Sequence, residues 1–291
     1  MTGRLLVLCP GQGGQHAGMF ELASTHPDAR DFLARCALPG DPAALFENRV
    51  AQPAIVAATL AMWLALKDAL PAPALVAGYS IGELAAYGVA GALAVDETVR
   101  LAGARALLMD DAARAVPQGL AAISGVAIDQ VRALIDVAIV TGEDSCIVGG
   151  PLALLDGLPA QLPMARIQRL PVGVASHTAL MQAAQAPFAA LLAQHPFAPW
   201  RCPVLAGVDA ARVLRPEMAV DRLARQLTET IEWAACMDAA GEAGITVALE
   251  LGPGAALARM MQARHPRIAC RSVADFQTLE GMVSWVKREM S

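Results

Sequence analysis

Gly78-Tyr79-Ser80-Ile81-Gly82 sets a serine between two glycines, each two residues away. The flanking pattern predicts a strand over Ala74 to Tyr79 and a helix over Glu83 to Val95, with Ser80 at the junction. A serine on so sharp a strand-to-helix turn is a nucleophile elbow: its hydroxyl stands above the sheet, and the following N–H points at the reacting carbonyl. The same residues also fit a helix cap, because Ser80 with Glu83 makes an S-x-x-E capping box. A nucleophilic serine needs a base, most often histidine. Five histidines are available. His16 lies in a glycine-rich loop, and His26, His195 and His265 each neighbour a proline, so all four read as solvated loop positions. His177 sits among small residues, Gly173 to Met181, that lead into a helix, so it reads either as a base facing a cleft or as a helix-start histidine. Arg105 lies on the mostly apolar stretch Leu101 to Ala113. On residue physics alone it reads as a surface arginine pairing with Asp110 or Asp111.

The elements that would carry these residues alternate between strand and helix. Leu5-Leu6-Val7-Leu8 is a continuous apolar run of strand length, as in a parallel sheet buried on both faces. It ends in the glycine-rich loop Pro10 to Gln15. Helical pattern follows over Gly18 to Ala37, a loop over Pro39 to Pro42, and helices over Gln52 to Ala69 and Val95 to Ala115. Val247 to Leu251 is a further apolar strand, ending in Gly252-Pro253-Gly254. This alternation indicates a layered α/β fold. Between Pro117 and Pro171 the texture changes to short strands (Leu120 to Val126, Val137 to Thr141, Ser145 to Val148, Arg166 to Leu170) around helices at Ile128 to Ile135 and Pro151 to Leu158. That pattern predicts a small α+β insert at 117–171, within a large α/β unit made of 1–116 and 172–291.

Composition narrows the function. The 291 residues are 56% hydrophobic and 17% charged, enough to bury a large core. A net charge of −5 argues against a nucleic-acid surface. The six cysteines form no C-x-x-C pair and no H-x-x-x-H spacing occurs, so neither a metal site nor a redox pair is expected. Scattered thiols fit a reducing cytoplasm. The first apolar run is too short for a signal peptide, and the stretch Ala54 to Leu66 stops at Lys67-Asp68, short of a membrane span. A cytoplasmic protein is expected.

Taken together, six segments resemble the malonyl-CoA:acyl-carrier-protein transacylases. They are Pro10 to Gln15 with Gly18-Met19; Gly78 to Ala86; Arg105 with Met109; Ser176 to Met181; Gln226-Leu227 with Trp233; and Glu250-Leu251-Gly252-Pro253-Gly254. They occur in the family's order and span nearly the whole chain. The resemblance implies an α/β-hydrolase-like layered parallel sheet with a small ferredoxin-like α+β subdomain inserted. It implies Ser80 as nucleophile, His177 as general base and the backbone carbonyl of Gln226 as the group orienting that base. It makes the N–H groups of Gln12 and Ile81 the oxyanion hole, such donors being worth roughly 3–4 kcal/mol each; on sequence alone Gln12 is an ordinary turn residue. Arg105 would select malonyl, with Met109 and Tyr79 also at the substrate. No bound cofactor is implied. The substrate would be malonyl-CoA, and the acceptor an acyl carrier protein bearing a phosphopantetheine-type thiol. Because carrier proteins are usually acidic, Arg166 with Arg169, or Arg264 with Arg267, could form a docking cluster.

Several residues depart from the fatty-acid-synthesis pattern. Tyr79 stands where histidine precedes the serine, Ala106 where glycine is usual, Asp110 where glutamine is usual, and Val140-Thr141-Gly142 where an asparagine-rich stretch lies. Gly78 to Gly88 is more similar to the epsilon (transacylase) subunit of bacterial malonate decarboxylase, which implies a malonate decarboxylase carrier subunit as partner. A transacylase of fatty-acid or polyketide synthesis is the alternative. An esterase sharing the elbow, and a non-catalytic carrier-protein scaffold, complete the set of expectations.

Overall fold

The computed structural model describes residues 3–38 and 40–291. Along the chain the strands are β1 (Leu5–Cys9), β2 (Leu75–Gly78), β3 (Gln118–Ser124), β4 (Asp136–Val140), β5 (Ser145–Pro151), β6 (Arg166–Arg169), β7 (Val204–Leu205), β8 (Arg212–Val213), β9 (Ile231–Glu232), β10 (Val247–Glu250) and β11 (Ala269–Ser272). The helices are α1 (Pro27–Arg35), α2 (Asn48–Leu66), α3 (Ile81–Ala90), α4 (Val95–Ala113), α5 (Ile128–Arg132), α6 (Leu152–Gln161), α7 (Gln182–Ala193), α8 (Pro216–Arg225), α9 (Trp233–Glu242), α10 (Ala256–Arg264) and α11 (Leu279–Glu289).

The larger sheet has the order β11-β10-β1-β2-β7-β8, parallel except for the β7–β8 edge. β1, β2 and β10 are buried at every position, which is why their sequences read as unbroken apolar runs rather than alternating ones. The chain leaves β1 toward β2 on one side and reaches β10 on the other. A crevice therefore opens where the connections diverge, at the carboxyl ends of these strands. Cys9 lies in register with Gly78, and Leu8 with Glu250. The loops that follow, beginning at Pro10, Tyr79 and Leu251, are thus set side by side by the sheet itself.

The smaller sheet, β6-β3-β5-β4-β9, contains a β-α-β-β-α-β unit of ferredoxin-like order built from β3 to β6 with α5 and α6. β9 comes from the later part of the chain and adds to its edge in parallel, pairing Ile231 with Ile139 and Glu232 with Val140. The expected α/β-hydrolase-like layered sheet with a ferredoxin-like insertion is the fold observed.

Some boundaries differ from the sequence reading. The helix expected over Glu83 to Val95 stops at Ala90, because Gly91 takes φ 81° and ends it in a left-handed cap. The helix expected over Gly18 to Ala37 is two 3₁₀ turns, Ala17–Phe20 and Ala23–Thr25, and then α1; Pro27 lacks the N–H needed inside a longer helix and instead starts one. α2 begins four residues earlier than expected, at Asn48, and is a mostly buried core helix despite being long and apolar enough to cross a membrane. Of the expected loop over 39–42, Pro39 lies outside the described residues. Asp41 caps the following 3₁₀ turn by accepting from the Ala43 N–H at 2.9 Å.

Candidate active site

Ser80 is the residue between β2 and α3, and its backbone stands at φ 55°, ψ −119°. Only glycine fits at either side. A Cβ on Gly78 would overlap the backbone of Gly82 and Glu83, and one on Gly82 would overlap the Cys9 carbonyl and lie 2.6 Å from that of Pro10. The turn is therefore pressed against the end of β1 with no room for a side chain. The helix-cap reading fails here. Ser80 makes no side-chain cap bond, and its Oγ lies 2.8 Å from His177 Nε2. The Glu83 carboxylate turns away from Ser80, accepting from the Gly207 N–H at 2.9 Å and from Gln226 Nε2 at 2.5 Å.

His177 is buried, at φ 63°, with its N–H donated to the Leu227 carbonyl at 2.8 Å. Its Nδ1 is 2.5 Å from the Gln226 carbonyl. A carbonyl oxygen can only accept, so Nδ1 carries the proton, and Nε2 of the neutral ring is left with a lone pair toward Ser80 Oγ. Burial chiefly, and the charge of Arg105 secondarily, press the imidazole's pKa down to about 3, against the Gln226 carbonyl, which raises it. The ring is thus held neutral and ready to accept a proton. The other histidines do different work. His16 is exposed, but His195 pairs with Glu97 at 2.8 Å, His265 with Asp238 at 3.1 Å, and His26 buries Nδ1. These last three are packed residues rather than solvated loop positions.

Arg105 is not a surface residue. It is 1% exposed, donating to Gln52 Oε1 at 2.6 Å and to Gln226 Oε1 at 3.0 Å. The expected alternative partners are engaged elsewhere, Asp110 accepting from Asn48 and Asp111 pairing with Arg114. Burial lowers the guanidinium's pKa to about 10, partly offset by Glu83, and leaves it protonated at neutral pH. Met109, one turn further along α4, is buried and accepts from Gln52 Nε2 through its sulfur at 3.4 Å. Gln226 ties the group together. Its backbone carbonyl meets His177, its Oε1 meets Arg105, and its Nε2 meets both Glu83 and the Ser80 carbonyl at 3.2 Å.

A cleft of about 350 Å³ opens over Ser80 between the two sheets. The glycine-rich loop and Leu257 line one wall, and Leu120, Ile139 and Ile147 of the smaller sheet, with Leu170 just past β6, line the other. Gln12 faces this cleft, with its side chain held by Asn48 Oδ1 at 3.2 Å. Ile81 is the first residue of α3, where backbone N–H groups have no partner within the helix. Tyr79 is half-buried, its ring edge-on to Trp233 at 5.3 Å. Burial raises its phenol well above the ordinary range, so it stays neutral. No cluster of three or more metal-ligating side chains is present among the described residues.

The two arginine pairs lie in different places. Arg264 donates through Nε and Nη2 to the two oxygens of Asp238, and with Arg267 it borders a hollow beside Arg4 and Thr246, which precede β1 and β10. That is the end of the sheet opposite Ser80. Arg169 faces Asp156 at 3.7 Å, and Arg166 is exposed on the outer strand of the smaller sheet. Arg259 on α10, which the sequence did not single out, is exposed and borders the Ser80 cleft. Gln52 was also missed; its signal is a polar amide just ahead of the apolar run of α2. Glu83 was read only as a cap partner.

The acyl transferase domain family matches residues 7–279. The malonyl CoA-acyl carrier protein transacylase of Mycobacterium bovis is 31% identical across 96% of this chain and 100% of its own length. The crystal structure of MCAT from Mycobacterium tuberculosis superposes with a TM-score of 0.89 at 30% identity, covering 96% of this chain and 99% of that one. A malonyl-transacylase solved in complex with its type II PKS acyl-carrier protein superposes at 0.88 with 25% identity, covering 97% and 99%.

Proposed function

Because the chain belongs to the acyl transferase domain family, we propose that it is a malonyl-CoA:acyl-carrier-protein S-malonyltransferase working through a malonyl-Ser80 intermediate. The observation that carries this reading is the line Ser80 Oγ, His177, Gln226 carbonyl, spaced at 2.8 and 2.5 Å at the base of the inter-sheet cleft. Ser80 Oγ attacks the thioester carbonyl of malonyl-CoA while its proton passes to His177 Nε2. The oxyanion forms against the N–H groups of Gln12 and Ile81. As it collapses, the C–S bond breaks and His177 returns the proton to the departing CoA sulfur. The carrier's phosphopantetheine thiol then repeats the sequence in reverse: His177 takes the thiol proton, sulfur attacks the ester carbonyl, the C–O bond breaks, and Ser80 regains its proton. A carbonyl partner fixes the imidazole tautomer but stabilises imidazolium less than a carboxylate would. That balance suits transfer between two acyl derivatives of similar energy. Arg105 retains N–H donors beyond the two given to Gln52 and Gln226, and these would receive the malonyl carboxylate, with Met109 and Tyr79 shaping the pocket.

In this reading 1–116 and 172–291 form the acyltransferase unit, while 117–171 supplies the opposite wall of the cleft and helps to receive the carrier. Arg259 at the rim is the arginine suited to an acidic carrier or to the phosphate of its prosthetic group. The acceptor we favour is an acyl carrier protein of fatty-acid or polyketide synthesis, in keeping with the named relatives. The malonate decarboxylase carrier subunit is the second reading. It rests on the segment Gly78 to Gly88, in which Tyr79 is built into the site against Trp233.

The test is intact-protein mass after brief mixing with malonyl-CoA or acetyl-CoA, followed by addition of each carrier in turn. A malonyl adduct on the parent, absent from Ser80→Ala and reduced at least about tenfold in Arg105→Ala, supports the reading. Discharge to one carrier and not the other decides the acceptor. CoA release with no adduct points to an esterase, and neither adduct nor release to a scaffold.

A further inference from the structure

Arg105 is buried with no carboxylate in contact, its two hydrogen-bonded partners being the neutral amides Gln52 and Gln226. An unbalanced buried cation is costly, so a countercharge must lie nearby. Glu83 is that group. Gln226 spans the two, accepting from Arg105 Nη2 at 3.0 Å with Oε1 and donating to Glu83 Oε2 at 2.5 Å with Nε2. The orientation of the amide is thereby set at both ends. Glu83 Oε2 also accepts from the Gly207 N–H, but Oε1 is buried without a partner. An oxygen in that position is poorly placed to hold negative charge and well placed to hold a proton.

Resting on the transacylase reading, we propose that Glu83 is the resting countercharge of Arg105, and that the malonyl carboxylate replaces it there. Loading of malonyl, but not of acetyl, is then accompanied by uptake of a proton onto Glu83 Oε1. With the substrate carboxylate on Arg105, an ionised Glu83 would be a second negative charge on one cation in a dry site, and the proton relieves it. The surroundings permit this. The titratable and charged groups facing Glu83 are Arg105 through Gln226, Asp209, Tyr87 one turn along α3, and Cys236 on α9. Asp209 is paired with Arg222 at 2.8 Å, while burial keeps Tyr87 and Cys236 neutral. Burial also lifts the Glu83 carboxyl to about 7, so the proton is exchanged in the working range.

The experiment is the initial rate of Ser80 loading by malonyl-CoA divided by that by acetyl-CoA, measured from pH 6 to 8.5. The ratio cancels the titration of His177 and of any group serving both substrates. For the parent it should fall roughly three- to tenfold as pH rises, because ionised Glu83 competes for Arg105. In Glu83→Gln, which keeps a side-chain acceptor for Gly207 and Gln226, it should stay flat within about twofold. Glu250→Gln should retain the parental slope, since Glu250 borders the cleft but does not reach Arg105. A second measurement needs no variant. In weak buffer at pH 7.5 with an indicator dye, the parent should take up a larger fraction of a proton per malonylated Ser80 than per acetylated Ser80. A flat parental ratio, a slope that persists in Glu83→Gln, or equal proton uptake overturns the proposal while leaving the transacylase reading intact. Absence of any Ser80 adduct overturns both.

Discussion

Ser80 and His177 meet at 2.8 Å while both backbones stand at positive φ, 55° and 63°. Neither is glycine, and each such residue stores on the order of 1–3 kcal/mol of strain. The neighbours hold it in place. Gly78 and Gly82 let the elbow close onto β1, and the His177 N–H is tied to the Leu227 carbonyl. The pair is therefore aligned before substrate arrives, at the expense of stability elsewhere.

Gly82→Ala should destroy the elbow rather than adjust it. The new Cβ would fall on the carbonyls of Cys9 and Pro10, backbone atoms at the end of β1 and the start of its loop that cannot swing aside as a side chain would. We expect a loss of more than about 3 kcal/mol in chemical denaturation, together with loss of Ser80 labelling. Gly103→Ala is the control. A Cβ there meets nothing within 4 Å, and on α4 it should be neutral or stabilise by up to about 1 kcal/mol.

The pH dependence of acetyl loading follows from His177. Burial holds its pKa near 3 in the folded protein, against 6.5 for an unperturbed imidazole, so it stays an unprotonated base through mild acid. The rate of Ser80 acetylation should therefore be flat from pH 8 down to about pH 5. An acid limb centred near 6.5 would mean that the imidazole is more solvated than its position implies. The linked effect on stability has the opposite appearance. Below pH 6.5 the unfolded chain binds a proton that the folded chain refuses, so this residue makes the fold weaker as pH falls from 6.5 toward 3.

Gln52 supports Arg105 from the side away from Gln226. Its Oε1 accepts from Nη1 at 2.6 Å, a hydrogen bond to a charged donor that is worth about 1.5–3 kcal/mol. Gln52→Leu should lower malonyl loading about 10- to 100-fold and leave acetyl loading within about threefold. Equal loss with both substrates would show that Gln52 acts on the fold and not on the carboxylate pocket.

Glu250 gives a stability prediction with the sign reversed from that of His177. It is fully buried, accepts from the Ala258 N–H at Oε2 at 2.8 Å and leaves Oε1 without a partner. Burial raises its carboxyl to about 7. The folded state holds this proton where the unfolded chain, near 4.5, has lost it. The stability it brings is full below pH 4.5 and fades as pH rises through 7. Glu250→Gln mimics the protonated form. Its melting temperature should gain on the parent's between pH 5 and pH 8, with a shift of about 2–4 °C for each kcal/mol recovered. A difference that does not change with pH would rule out titration of Glu250 in this range.

The residues legible in the sequence were those whose local chain geometry announces them. The run Leu5 to Leu8, the glycines around Ser80 and the change of texture near Pro117 each reflect a constraint acting over a few residues, and each led to the observed element. The resemblance carried further, to Arg105 and Gln226, which residue physics alone would have left on the surface or unremarked. Glu83 was misassigned because S-x-x-E satisfies a helix cap as well as an elbow. Only the approach of Gly207 and Gln226, more than 120 positions away, decides between them. Gln52 and the short strand β9 were missed for a related reason. An amide in an apolar helix and a two-residue strand acquire meaning only from partners that sequence spacing does not reveal.

β9 joins the chain's two sheets by a short strap. From Gln226, whose carbonyl anchors the imidazole, the chain runs through Thr230, whose hydroxyl donates to the Val137 carbonyl at 2.7 Å, and directly into the rungs with Ile139 and Val140. Only a few residues separate the base's anchor from the wall across the cleft. The anchor of the imidazole and the edge of the opposite wall are therefore carried by one continuous length of backbone, so neither can shift without the other.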